Sequence, residues 1–105
     1  MLGIHTCDQR RKISEKRLQY PQLEFCGFES DEDLLWTPNY RESDAEIDSR
    51  ATKFLDTIFN LPAKNVGVVS HSVFGASLLR VIGHRAYTIG TAEFLPLLIE
   101  KTTTI

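Results

Sequence analysis

The sequence predicts an α/β protein in which helices pack on a mostly parallel sheet. The main evidence is the stretch VGVVSHSVFG at residues 66–75, where an unbroken run of apolar and small residues leads into Ser70, His71 and Ser72. Such a run is typical of a strand buried on both faces, as parallel sheets require. Helical patterns precede and follow it, and a helix-strand-helix order fits a parallel sheet covered by helices.

The helix before this strand has the clearest local signal. Ser43 and Glu46 form a capping box, in which each side chain bonds the backbone N–H of the other residue. Apolar residues then recur at helical spacing. They are Ile47, Ala51, Phe54, Leu55, Ile58 and Phe59. We therefore predict a helix over residues 44–60, with the face that carries Phe54, Leu55 and Ile58 buried against the sheet.

Three further elements are predicted with weaker signals. A helix over residues 72–82 should stop at Gly83, because glycine commonly ends helices in a left-handed conformation. A short helix over residues 14–20 should end before Pro21, since the residue before a proline is disfavoured in helical geometry. The apolar stretch 94–99 is a second strand candidate, which should lie at a sheet edge or start late because Pro96 removes one backbone donor.

Length and composition limit the class of protein. The chain has 105 residues, of which 42% are hydrophobic and 25% are charged, so we expect one domain over residues 1–105. A net charge of -2 argues against a nucleic-acid partner. A locally basic N-terminal segment instead favours a small anion. It comprises Arg10, Arg11, Lys12, Lys16 and Arg17.

Location and metal content are also predicted from absent signals. No apolar run approaches the roughly 18 to 20 residues of a membrane span, and no secretory segment follows Met1. We therefore expect a cytoplasmic protein without a membrane partner. Cys7 and Cys26 form neither a CxxC motif nor a ligand cluster with histidines, which predicts free thiols and no metal site.

His71 follows the predicted strand, at the end of a sheet where α/β proteins bind ligands. One interpretation is a polar residue that ends the strand and satisfies backbone groups. The other is a phosphate or acid/base site, because unpaired amides at the start of the next helix attract anions beside the imidazole. The residues alone leave both interpretations open.

Four segments together resemble the phosphoglycerate mutase-like branch of the histidine phosphatase superfamily. They are HTCDQRRKISE, DEDLLW, RESDAEIDSRATKFL and VGVVSHSVF, and the similarity covers roughly residues 2–83. The resemblance implies a partial three-layer α/β/α sandwich, formed by the C-terminal part of a family domain. His71 matches the second histidine of the family's phosphate pocket, which implies a catalytic role for His71 and a phosphate contact at Ser72. Arg10 and Arg11 match positions of substrate-facing positive charge, although a solvated basic loop would explain them equally well.

The chain departs from the family at the nucleophile. Family members form a phosphohistidine within an N-terminal Arg-His-Gly motif, and this sequence contains no Arg-His dipeptide. The other histidines, His5 and His84, follow no strand pattern, and the family's proton-donating glutamate would fall before Met1. The resemblance thus implies a truncated phosphatase whose intact parent would hydrolyse or transfer a phosphomonoester through a phosphohistidine, without a cofactor. The chain alone would bind a small phosphorylated substrate or inorganic phosphate and have no family-type activity.

A second hypothesis is a noncatalytic module that binds a phosphorylated ligand or a partner protein through the same strand end. The resemblance also implies that the family's N-terminal strand, which lies inside the sheet, is missing, so the strand 66–70 would lack a neighbour. An unpaired apolar strand edge invites pairing with another chain. We therefore expect self-association through this edge.

Overall fold

The computed structural model describes residues 2, 3, 5 and 9–102. They include three helices, α1 (Ile13–Gln19), α2 (Asp44–Phe59) and α3 (Ser72–Val81). The chain divides into a first unit, residues 1–42, and a second unit, residues 43–105. The single domain predicted for residues 1–105 stays a prediction, and the free thiol predicted at Cys7 lies outside the described residues.

The predicted sheet is wrong. Over the described residues the structure contains no strand, so neither a mostly parallel sheet nor a partial three-layer α/β/α sandwich is present. Residues 66–70 lie outside any helix or strand, and the Val69 side chain is 102% exposed. Residues 94–99 are likewise irregular, with Phe94 87% and Leu98 103% exposed.

The physical reason is that a strand exists only through hydrogen bonds to a neighbouring strand. An apolar run is compatible with a buried strand, but it does not supply the partner. No hydrogen bond joins the backbone of residues 66–70 to another residue in the described part of the chain. The valines of this segment consequently remain at the surface instead of entering a core.

Helix α2 forms as the sequence predicts. The Ser43 hydroxyl accepts a hydrogen bond from the backbone N–H of Glu46 (3.3 Å), and the Glu46 carboxylate accepts one from the backbone N–H of Ser43 (3.2 Å). The helix ends at Phe59, one residue earlier than predicted. Its buried side chains are Ile47 and Ala51, nearer the N-terminus than the predicted face. The residues of that predicted face, Phe54, Leu55 and Ile58, are only half-buried.

Helix α3 ends at Val81, one residue earlier than predicted, and the predicted stop, Gly83, follows its C-cap with a φ of +78°, which is strained for residues with a Cβ. The N–H of Gly83 donates to the carbonyl of Arg80 (3.2 Å), and the N–H of His84 donates to that of Leu79 (2.9 Å). This pair of bonds is a Schellman motif, which satisfies carbonyls left free at the end of the helix. Helix α1 is also confirmed, since it ends at Gln19 just before Tyr20 and Pro21.

Helices α2 and α3 pack against each other in the second unit. The rings of Phe54 and Phe74 meet edge to face with centroids 5.6 Å apart. The guanidinium of Arg50 on α2 lies over the same Phe74 ring, 4.7 Å from its centroid. Ile47, Ala51 and Leu79 are buried, so the apolar core of this unit includes both helices.

A polar cluster accompanies this apolar contact. The Asp48 carboxylate on α2 accepts hydrogen bonds from the Ser77 hydroxyl (2.6 Å) and from Arg80 Nε (2.9 Å) on α3. These hydrogen bonds, first from Arg80 and then from Ser77, lower the pKa of Asp48 below its usual value. The carboxylate is therefore held in its charged form where the two helices meet.

In the first unit a loop caps helix α1. Lys12 occupies the N-cap position without a side-chain cap. Asp31 takes over, because its carboxylate accepts from the backbone N–H (2.6 Å) and the hydroxyl (2.9 Å) of Ser14. Its carbonyl also accepts from the N–H of Ile13 (3.0 Å). The Ser14 bonds lower the pKa of Asp31.

No helix in the described part of the chain is long and apolar enough to cross a membrane.

Replacing Ile47 by Ala tests the helix-helix core. Ile47 is 1% exposed, so its truncation leaves a cavity, and we expect a loss of about 2–5 kcal/mol in the free energy of unfolding. Leu55→Ala, at a half-buried position, should cost less, and Lys53→Ala, at an exposed position of the same helix, should stay within about 0.5 kcal/mol. Denaturant unfolding followed by circular dichroism measures all three. An equal loss for Ile47→Ala and Lys53→Ala would contradict this packing.

The predicted self-association stays a prediction, now placed on an exposed apolar segment instead of a strand edge. Burial of Val66, Val68 and Val69 against a second copy would remove apolar surface from water, which favours association. We expect light scattering to give a mass above that of the monomer, and Val69→Lys to lower it. Thr91→Lys adds the same charge at another exposed position and should not. A monomeric wild-type chain would contradict the prediction.

Candidate functional site

His71 and Ser72 lie at the start of helix α3. His71 is the N-cap residue, with extended backbone geometry (φ -77°, ψ 159°), and Ser72 is the first helical residue. The carbonyl of His71 accepts the first hydrogen bond of the helix from the N–H of Gly75 (3.0 Å). Both side chains are exposed, so an imidazole and a hydroxyl are accessible at one helix end.

The first turn of α3 carries a positive electrostatic potential. The first amides of any helix lack an intrahelical partner and carry the positive end of the helix dipole. The His71 side chain makes no capping hydrogen bond to these amides, and the first turn of α3 contains no acidic residue. This end of the helix therefore offers backbone donors to an anion beside the His71 imidazole.

The same turn is closely packed on its other side. Gly75 is buried, and a Cβ at this position would lie 3.1 Å from Cδ1 of Ile89 and 3.5 Å from Oγ of Ser70. The absence of a side chain at Gly75 lets both residues approach the helix. Residues on two sides thus hold the turn that follows His71.

Arg10 has a structural environment in the first unit. Its guanidinium donates to the backbone carbonyls of Ser30 (2.9 Å), Asp31 (2.9 Å) and Glu32 (3.0 Å). It also lies 5.0 Å from the ring centroid of Phe28. Donors committed to carbonyls must leave them before they can bind a phosphate, so this geometry favours a role for Arg10 in holding the loop.

The backbone of the same segment binds Asp33. Burial alone would raise the pKa of Asp33, but hydrogen bonds from the backbone N–H groups of Arg10, Trp36 and Leu35 lower it overall. The carboxylate thereby remains charged close to Arg10. Residues 30–33 therefore bind Arg10 in two ways. Their carbonyls accept from its guanidinium, and the Asp33 carboxylate accepts from its backbone N–H.

Arg11 is exposed and borders an open depression of about 680 Å³. The depression is lined by Gln9, Arg10, Arg11, Lys12, Glu15, Glu32 and Asp33. Three basic and three acidic side chains thus share it, and Lys12 already pairs with Glu32 (3.6 Å). Balanced charge does not concentrate anions, so the depression lacks the excess positive charge that a phosphate pocket needs.

The site roles predicted for His71, Ser72, Arg10 and Arg11 stay predictions. His71 and Ser72 belong to the second unit, and Arg10 and Arg11 belong to the first. His5 is exposed, and its carbonyl accepts a hydrogen bond from Trp36 Nε1 (2.9 Å). The Nδ1–H of His84 donates to the carbonyl of Arg85 (2.8 Å).

Possible metal ligands do not cluster in the described part of the chain. Among the described residues, no three histidine, cysteine, aspartate or glutamate side chains are grouped so that they could hold an ion. Cys26 is a free, exposed thiol, as predicted.

Sequence reasoning missed the groups that position these residues. Asp48 was assigned no role, although it links α3 to α2 through Ser77 and Arg80. No local pattern marks Asp31 as the residue that caps α1 or Asp33 as the acceptor from the Arg10 backbone. A signal for this link did exist in α3, since a serine among apolar residues needs a hydrogen-bond partner when it is buried.

Comparison with known proteins gives one consistent family. The chain is 36% identical over 103 residues, or 97% of its length, to a protein of Arthroderma benhamiae named probable phosphoglycerate mutase. It is 41% identical over 73 residues, or 70% of its length, to phosphoglycerate mutase-like protein 1 of Arabidopsis thaliana. It is 37% identical over 99 residues, or 92% of its length, to phosphomutase-like protein 3 of Candida albicans.

These matches cover only part of each relative. The chain spans 31% of the Arthroderma protein, 26% of the Arabidopsis protein and 31% of the Candida protein. No family model matches the sequence. No solved structure matches it either.

The resemblance inferred from the HTCDQRR, RESDAEIDSR and VGVVSHS segments is thus confirmed by relatives from two fungi and a plant. Three of the matches extend over at least 92% of this chain, so they are not confined to one motif. The chain belongs to the phosphoglycerate mutase-like branch of the histidine phosphatase superfamily.

Proposed function

We propose that this chain supplies the second phosphate-binding histidine, His71, to a phosphatase or mutase that acts on a phosphomonoester through a phosphohistidine. The observation that carries the proposal is the placement of His71 at the N-cap of α3, beside amides that its side chain does not cap. An imidazole and helix N-terminal amides together suit a phosphoryl group. Relatives named as phosphoglycerate mutases support this substrate class.

The chemistry requires more groups than this site offers. Phosphoryl transfer needs an in-line nucleophile, positive groups on the equatorial oxygens and an acid for the leaving oxygen. The 105 residues contain no Arg-His dipeptide, so the family's nucleophilic motif is not among them. Arg10, a candidate for the positive group, is bonded to three carbonyls. The proposed role of this chain by itself is therefore binding, and turnover belongs to a protein that also contains the nucleophile.

A noncatalytic module that binds a phosphorylated ligand or a partner protein is the second candidate. It is favoured by the same inventory of groups, because His71, Ser72 and the α3 amides can hold an anion without any bond being broken. The two candidates share the phosphate site and differ only in whether a nucleophile is supplied. Because both predict no turnover by this chain alone, turnover by a longer protein that includes it, lost in His71→Ala, would favour the first candidate.

Phosphate binding is the first prediction. We expect inorganic phosphate or vanadate to bind weakly and to shift the imidazole resonances of His71 and the amide resonances of residues 72–74 in an NMR titration. His71→Ala should abolish the amide shifts or reduce them strongly. His84→Ala, the matched histidine control at the other end of α3, should leave them unchanged. Amide shifts in residues 9–12 instead would assign binding to the basic segment of the first unit.

Catalytic inactivity of the isolated chain is the second prediction. Without the nucleophile no covalent phosphohistidine forms, so the purified chain should turn over p-nitrophenyl phosphate and 3-phosphoglycerate only at the background rate. It should also incorporate no acid-labile phosphate. Turnover within about tenfold of an intact family member, lost in His71→Ala, would make His71 itself the nucleophile and refute this part of the proposal.

A further inference from the structure

We propose that Asp48 is a positioning residue for the phosphate site, because its carboxylate sets the rotation and height of helix α3 and thereby the placement of His71 and Ser72. The proposal rests on the function proposed above. Asp48 itself lies on α2 and touches neither residue of the site. It acts through its bonds to Ser77 and Arg80 on α3.

The geometry is that of a two-point attachment. Ser77 is fully buried, and its hydroxyl donates to Oδ1 of Asp48 at 2.6 Å. Arg80 donates from Nε to Oδ2 at 2.9 Å and from Nη2 to Oδ1, which is the bidentate arrangement of a guanidinium and a carboxylate. Residues three apart are neighbours on one helix face, so one carboxylate holds two adjacent positions of α3.

Other contacts between the helices are less specific in geometry. The buried side chains of Ile47, Ala51 and Leu79 contribute apolar contact, which depends little on small rotations. A hydrogen bond instead weakens steeply when its angle or length changes. The Asp48 bonds therefore constrain the rotation of α3 in a way that this apolar burial does not.

Rotation of α3 matters at its N-terminus. Ser72 precedes Ser77 by five positions in the helix, which corresponds to about 7.5 Å along the axis at 1.5 Å per residue. Side-chain tips lie about 5 Å from the axis of a helix, so a turn of about 20° would move them by roughly 2 Å. Displacements of about 1 Å are enough to impair a site that must align several donors on one ligand.

Asp48→Asn tests the proposal, because asparagine keeps the shape of the side chain and removes the charge and one acceptor oxygen. We expect the affinity for inorganic phosphate to fall about tenfold, with shifted amide resonances for residues 72–75 in the absence of phosphate. Ser77→Ala should also lower the affinity for phosphate. Because the two residues share one hydrogen bond, the double variant should lose less binding free energy than the sum of the two single losses. Asp56→Asn is the matched control, since Asp56 also lies on α2 but pairs with exposed Lys101 (3.5 Å) and not with α3 in the described structure.

The outcomes separate positioning from a purely structural role. If Asp48→Asn lowers the free energy of unfolding but leaves both phosphate affinity and the amide resonances of residues 72–75 unchanged, the proposal is overturned. If wild-type protein binds no phosphate, the proposed function fails. Positioning is then judged by the amide resonances alone, which must shift in Asp48→Asn and not in Asp56→Asn. If Asp48→Asn does not fold, Ser77→Ala decides by the same two measurements.

Discussion

The second unit depends on the hydrogen bonds that the Asp48 carboxylate on α2 accepts from Ser77 and Arg80 on α3, because they join the two helices at defined atoms. Ser77 is fully buried, so without Asp48 its hydroxyl would lose this partner away from water, and such a loss costs free energy. Hydrogen bonds from Arg80 and then from Ser77 lower the pKa of Asp48, which keeps its carboxylate charged. The orientation of α3, and with it the direction in which His71 faces solvent, follows from this link.

The first unit uses an arginine in the opposite sense. The Arg10 guanidinium donates hydrogen bonds to the carbonyls of Ser30, Asp31 and Glu32. The backbone N–H of Arg10 donates to the Asp33 carboxylate. The residue type that suggests a phosphate ligand in the sequence therefore organises a loop in the structure. Arginine's planar fork suits carbonyl oxygens of a turn as well as the oxygens of an anion, so residue type alone does not distinguish the two uses.

The family and the site are consistent with each other at the level of binding. Helix N-terminal amides and an imidazole are groups that interact with a phosphoryl oxygen without any cofactor, and α3 places both at one end. The relatives are about three to four times longer than the matched region, since the chain spans 31% and 26% of two of them.

By itself the sequence determined the features that depend on near neighbours in the chain. The capping box of Ser43 and Glu46, the stop at Gly83 and the end of α1 before Pro21 each involve groups within a few residues, so local pattern was sufficient. The family resemblance likewise rested on short segments. Only the tertiary structure decided the rest. Residues 66–70 have the composition of a strand but no partner strand within residues 9–102. Arg10 meets carbonyls some 20 residues away, and Asp48 meets Ser77 across 29 positions. Long-range partners are set by how the helices and loops pack, and no local pattern specifies which distant group a side chain will meet.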